Sequence, residues 1–177
     1  DLLKQIIKEP KKYVEGGPKK IFRRTWLHVA AIHGKLQAVE ALVNAGDDVN
    51  ETDDILRTPL LYAITSGSLE TVEFLIESGA DIHYDKCMDN FTPLFTAAEF
   101  GYIDIFRLLV QKGCDFNLLG PNHMTVGHVI CQNAHPPEML KILFDKNHEI
   151  EFDISVLDGY GRNMVQICKD AIDRNPK

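Results

Sequence analysis

Thr58-Pro59-Leu60-Leu61-Tyr62-Ala63, followed by Gly67, Val72, Leu75 and Gly79-Ala80-Asp81-Ile82, is the stretch from which the rest of the chain is read. It spells turn, short helix, turn, longer helix, turn. Pro59 suits the first helical position, where a missing backbone N–H has no intrahelical partner to lose. Gly67 and Gly79 fall where the two helices stop. Helices this short cannot bury their apolar faces alone, so the stretch requires copies of itself on either side.

The copies are present. Thr25 opens Thr-Trp-Leu-His, Thr58 opens Thr-Pro-Leu-Leu, Thr92 opens Thr-Pro-Leu-Phe and Thr125 opens Thr-Val-Gly-His, at steps of 33, 34 and 33 residues. A period of this length is the mark of a solenoid. In period and wording the unit resembles the ankyrin repeat. The resemblance implies an all-α ankyrin-repeat solenoid with short β-hairpin-like loops. Three segments are expected: an N-terminal capping helix and basic loop over 1–24, four repeats with an extended final loop over 25–157, and a partial fifth repeat or C-terminal cap over 158–177.

Departures from the pattern carry their own expectations. Leu2, Leu3, Ile6 and Ile7 form a helical stripe that Pro10 ends. Trp26 stands in place of the family's proline. Leu61 and Phe95 stand where the family has a histidine, whose ring ties neighbouring hairpins; the tie is expected to be absent at Leu61. Gly127 inside a helix costs on the order of 1 kcal/mol relative to alanine. Pro136-Pro137 replaces a glycine turn, and Asn147 takes a positive-angle position. The insertion before Asp158 alternates enough to suggest some strand character.

The formal charge of -7 argues against a general nucleic-acid binder. It is unevenly spread: residues 1–24 carry a net +5 and the remainder a net -12. Cys87, Cys114, Cys131 and Cys168 are scattered, with no CxxC pair and no secretory signal before them. Reduced thiols are therefore expected, in an intracellular protein, cytoplasmic rather than nuclear, or in host cytoplasm if it is an effector. No run is long enough for a transmembrane segment. The chain starts without methionine, within a helical pattern, and is read as a fragment of a longer protein.

No constellation supports chemistry. His28 and His128 recur at one place in the repeat and read as hydrogen-bonded structural side chains. The cysteines, with His123 or His128, lack the compact spacing of a zinc site. Asp47-Asp48 and Asp53-Asp54 read as solvated turn carboxylates. The glycines stand singly, not in a phosphate-cradling loop. No enzyme activity, metal or cofactor is expected.

The resemblance implies a protein–protein interaction module, within a scaffold, regulator or effector, with another protein or peptide as partner. In the family, hairpin tips and first helices line a concave binding face. Here the tip positions are Asp53, Asp54, Ile55, Arg57, Lys86, Met88, Asp89, Phe91, Pro121, Asn122, His123 and Met124. The first helices add Ile32, His33, Thr65, Ser66, Glu99, Phe100, Gln132 and Asn133. Apolar groups among them recur at contact centres generally. A basic patch of Lys11, Lys12, Lys19, Lys20, Arg23 and Arg24 is the candidate for a phosphoinositide or nucleotide. A further alternative is the substrate-recruiting region of an enzyme whose catalytic domain lies elsewhere. Finally, the offset from Leu42 to Asn50 matches the family's asparaginyl-hydroxylation pattern, which makes Asn50 a candidate modification site.

Overall fold

The computed structural model describes residues 23–133, 137–145 and 153–174, with the backbone alone at 137 and 171–174. The expected helix at 1–8, Lys11, Lys12, Lys19, Lys20, the 134–136 turn, Asn147 and most of the insertion before Asp158 lie outside the described residues.

Nine α-helices follow one another among the described residues: α1 (Trp26–Ile32), α2 (Leu36–Asn44), α3 (Pro59–Ser66), α4 (Leu69–Glu77), α5 (Pro93–Glu99), α6 (Ile103–Gln111), α7 (Val126–Gln132), α8 (Pro137–Leu143) and α9 (Met164–Arg174). A 3₁₀ turn at Pro121–His123 is the remaining element, and no strand occurs among these residues. The fold is an all-α helical solenoid. It divides into two compact units, one running to Ile82 with Lys86–Met88, the other comprising His83–Asp85 and the chain from Asp89.

In the first unit α1 packs on α2 and α3 on α4, while α1 meets α3 and α2 meets α4. In the second, α5 pairs with α6 and α7 with α8, α5 meets α7, and α6 meets α8. α9 then takes the next first-helix place against α7. The first helices α1, α3, α5 and α7 are each fixed locally by a threonine. Thr58 Oγ1 accepts from the Leu61 N–H at 3.4 Å and Thr92 Oγ1 from the Phe95 N–H at 3.2 Å. This satisfies one of the donors that a helix start leaves open. The faces so oriented bury Leu60, Ile64, Val72 and Leu75 in one unit and Ile105, Phe106, Leu109 and Ile130 in the other.

One expectation about cysteine is overturned. Cys131 and Cys168 are joined by a disulfide across 37 residues, with their Cα atoms 4.8 Å apart. Packing of α9 on α7 brings them together, and nothing in their spacing along the chain records that. Cys87 and Cys114 are buried and not disulfide-bonded.

Candidate protein-interaction surface

Three of the turns that enter first helices close with the same backbone bond. The Asp53 N–H donates to the Arg57 carbonyl at 3.1 Å, and the Asp158 N–H to the Arg162 carbonyl at 2.8 Å. Between Gly120 and Met124 the same bond measures 2.8 Å. In these turns and the one before Thr92, the residue two before the helix cap is left-handed: Leu56 (φ 60°), Asn90 (φ 56°), His123 (φ 56°) and Gly161 (φ 74°). Consecutive turns are stitched by a further backbone bond, Met88 N–H to the Ile55 carbonyl at 3.1 Å and Gly159 N–H to the Asn122 carbonyl at 2.6 Å. Hairpin-like tips thus arise without strands.

Asp53 was expected to be a solvated tip residue and is 3% exposed. Its burial is favourable because both carboxylate oxygens are hydrogen-bonded. Oδ1 accepts from the Ile55 and Arg57 N–H groups at 3.0 and 2.9 Å, and Oδ2 from the Tyr62 hydroxyl at 2.6 Å. Arg24 completes the cluster, donating from Nε and Nη2 to the Tyr62 oxygen at 3.2 and 2.9 Å. Burial, reinforced by the hydrogen bond to Asp53 and its charge, pushes the Tyr62 phenol up to about 12, with Arg24 opposing. Asp158 repeats the arrangement, accepting from the Tyr160 and Arg162 N–H groups, both at 2.9 Å, and from the Arg162 guanidinium. Burial alone would raise its carboxyl; the Arg162 and Tyr160 donors hold it below the usual carboxylate value.

The two histidines are the structural groups the sequence suggested. His28 Nδ1 accepts from the Thr25 N–H at 3.1 Å, and His28 Nε2 lies 3.1 Å from the Arg57 carbonyl. Since a backbone N–H can only donate, Nδ1 is the acceptor and Nε2 carries the proton. His128 does the same with Thr125 and Arg162, at 3.1 Å each. Burial holds His28 below its ordinary value, against the pull of the Arg57 carbonyl. At Phe95 the histidine is replaced by an apolar ring, and a Cβ on Gly120 would overlap that ring. The residue opening the next turn is therefore matched to it: aspartate where histidine donates to the turn, glycine where phenylalanine fills it.

This plan sorts the candidate contact residues. In the first unit Ile55 and Arg57 are half-buried and Met88 is 65% exposed. The Met88–Ile55 backbone bond puts these two apolar side chains on adjoining tips. Arg57 lies against the Tyr62 ring, 5.8 Å from its centroid. In the second unit Met124 is 7% exposed, which contradicts its placement at an open tip. It directly precedes the cap Thr125, where the turn folds back on the core, as it does at Phe91. Phe91 is half-buried, edge-on to Phe95 at 5.6 Å. Asp89 is half-buried and His123 exposed. His123 borders a cleft of about 560 Å³ with Asn90, Leu119, Gly120, Asn122 and Gly159. Leu119, 44% exposed, and Tyr160, 71% exposed, also lie on this unit's turns and were missed by the sequence reading, which had no marker for them.

The first-helix candidates of the second unit do come together. Asn133 Nδ2 donates to Glu99 Oε2 at 3.1 Å, joining the ends of α5 and α7. Phe100, next to Glu99, is 50% exposed and stacks on Tyr102 at 5.9 Å. Gln132 is exposed beside Asn133. Of the basic candidates, Arg23 and Arg24 fall among the described residues, and Arg24 is committed to Tyr62. Asn50 is held from both ends of its amide: Nδ2 donates to the Gly79 carbonyl at 3.0 Å and Oδ1 accepts from the Asp81 N–H at 2.8 Å. Asn117 accepts from the Asp153 N–H at 3.3 Å in the matching position. Among the described residues no cluster of His, Cys, Asp or Glu suits a metal, and no helix is long and apolar enough to cross a membrane.

Short helix pairs joined by closed turns define a helical-repeat protein. A family model described as "Ankyrin repeats (3 copies)" matches residues 1–86, 27–119 and 82–158, and the chain belongs to the ankyrin-repeat family. It is 31% identical over 123 residues to Ankyrin repeat protein nuc-2 of Neurospora crassa, covering 69% of this chain and 11% of that one. It is 36% identical over 123 residues to mouse Ankyrin repeat and SOCS box protein 5, covering 64% and 37%. A 46-residue stretch is 46% identical to Putative ankyrin repeat protein FPV222 of fowlpox virus, covering 26% and 6%. The chain thus spans well under half the length of each of these relatives. Ankyrin repeats typically serve as protein-interaction modules.

Proposed function

We propose that the chain is a protein-binding segment of a longer scaffold, regulator or effector, and that its second unit makes contact through Phe100, Gln132 and the Glu99–Asn133 pair. The observation that carries this is the Asn133–Glu99 hydrogen bond beside a half-exposed, stacked ring. The polar pair is ordered before any partner arrives, so less side-chain entropy is lost on binding. The ring supplies an apolar anchor with a polar rim, the usual anatomy of a contact centre. The excess of acidic residues beyond residue 24 favours a partner with a basic surface. The greater length of the relatives supports the view that these repeats serve a larger protein.

The test compares capture of partners by the wild-type chain, by Phe100→Ala and Asn133→Ala, and by Arg107→Ala, an exposed residue on α6. Partners lost with the first two variants but kept with the third, at unchanged melting temperature, support the surface. Binding retained by both Phe100→Ala and Asn133→Ala refutes it.

Asn50 is retained as a proposed hydroxylation site. Since both ends of its amide are engaged, a modifying enzyme must first open the 50–81 clamp. Modification should therefore quicken under mild denaturant, read by peptide mass, and a rate that does not rise counts against the site.

A further inference from the structure

We propose that the Cys131–Cys168 disulfide is a redox latch on the C-terminal helix, closed by low-molecular-weight disulfides and opened by low-molecular-weight thiols. Among the described residues, α9 is held to the repeats through its turn, its cap and a small apolar cluster. The turn before it is pinned by His128 on the Arg162 carbonyl and by the Asp158–Arg162 pair. The helix start is capped by its own residues, Asn163 and Gln166 exchanging bonds of 2.9 and 3.0 Å. Beyond that, the described side chains of α9 bury only Met164 and Ile167, in a small cluster with Cys131 that Leu140 and Cys168 border. Val165, 42% exposed, faces out. Among the described side chains this buried face is small, so the covalent tie adds materially to what holds the helix.

The two sulfurs are unequal. Cys131 is 4% exposed in the last turn of α7, whereas Cys168 is half-buried on α9. An incoming thiolate therefore attacks the Cys168 sulfur. The bond to Cys131 breaks, Cys131 leaves as a thiolate and takes a proton, and a mixed disulfide remains on Cys168. A second thiol attacks the mixed disulfide at the sulfur of the small molecule, releasing the Cys168 thiol and a low-molecular-weight disulfide. Two thiols are oxidised for the one protein disulfide reduced, and closure is the same sequence in reverse. Gln132 and Asn133 directly follow Cys131, so the latch also borders the proposed contact surface. An effect on binding would rest on that reading; the latch itself does not.

The experiment uses the whole chain equilibrated in glutathione buffers from fully reduced to fully oxidised, quenched in acid. Peptide mass spectrometry reads the cross-link, and hydrogen exchange reads the amides of α9. With oxidised glutathione in excess, a peptide joining Cys131 to Cys168 should form while Cys87 and Cys114 remain alkylatable after unfolding. Exchange over 164–170 should be at least about tenfold slower than in the reduced protein, since the bond closes a loop of 37-residue separation. Cys168→Ser should exchange at the reduced rate in every buffer, and the reduced wild type provides the same comparison should that variant not fold. The proposal is overturned if the cross-link never forms, if it persists in fully reduced glutathione, or if α9 exchanges equally fast in both states. Since no partner is present, failure here is separate from failure of the contact surface.

Discussion

Replacing Tyr62 with phenylalanine should remove a buried hydroxyl that serves two charged groups and, with it, a pH dependence peculiar to this site. The hydroxyl donates to Asp53 Oδ2 at 2.6 Å and accepts from the Arg24 guanidinium at 2.9 Å. Hydrogen bonds to charged groups contribute about 1.5–3 kcal/mol, and Tyr62→Phe should cost that much near pH 8. The phenol titrates at about 12 in the folded chain, against 10.0 for the ordinary group. A group raised on folding contributes stability that is complete below its unfolded value and is lost as pH climbs through its folded value. The rise from 10.0 to about 12 corresponds to about 2.7 kcal/mol, gone by roughly pH 12. Urea unfolding followed by circular dichroism, at about pH 8, 10 and 12, measures both chains while lysines and other tyrosines titrate equally in each. The wild-type advantage should be intact at the first pH and close to nothing at the last. A gap between the two chains that stays constant across this range would refute the assignment of this titration to Tyr62 in contact with Asp53.

The remaining outcomes concern the repeated turn. Leu56 holds a left-handed backbone (φ 60°) while 38% exposed, so Leu56→Gly should raise stability by about 1 kcal/mol, read as a later denaturant midpoint. Gly120→Ala should lower it by about 1–3 kcal/mol, because a Cβ there overlaps the Phe95 ring, and Phe95→Leu should restore part of the loss. Asn50→Ala should cost about 1–2 kcal/mol and speed amide exchange at Asp81, whose N–H loses its acceptor. His28 is held below 6.5 by burial, so the unfolded chain takes up the proton first; stability is present above that pH and falls as pH drops below it, and His28→Gln should flatten that acid limb in urea titrations.

What the sequence disclosed and what it hid divide along physical lines. The threonine steps were legible because a cap is local: Thr58 Oγ1 reaches a donor three residues on, and the same spacing recurs in each copy. His28 and His128 were legible for the same reason, their Nδ1 atoms bonding within their own helix start. Asp53 was not. A carboxylate next to another acidic residue in a turn looks solvated, and only closure of the Asp53–Arg57 turn brings two N–H groups and the Tyr62 hydroxyl onto it. Met124 looked like an available apolar tip, but its place next to the cap turns it inward. The disulfide needed knowledge of which helix α9 packs against, and pattern along the chain contains no such information. Phe100 and Gln132 kept their exposure because helix ends are less subject to turn closure.

The degenerate copies are also more orderly than they look one residue at a time. In the repeat with His28, the next turn opens with Asp53, whose own N–H shares the Arg57 carbonyl with the histidine ring. With His128 the next turn opens with Asp158, and the Arg162 carbonyl plays the same part. With Phe95, which has no ring donor, the next turn opens with Gly120, and the phenyl ring occupies the space a side chain would need. At Phe95 and Gly120, histidine loss and aspartate loss are thus one event, not two separate weakenings. An unpaired turn carbonyl would cost about 1–3 kcal/mol if it were buried, whereas an apolar ring over a glycine replaces directional bonding by contact area. The turn keeps its backbone bond in both forms, 3.1 Å at Asp53 and 2.8 Å at Gly120. The scaffold therefore tolerates exchange of polar for apolar ties behind the tips, and this leaves the tip side chains themselves, such as Met88 and His123, to differ from one repeat to the next.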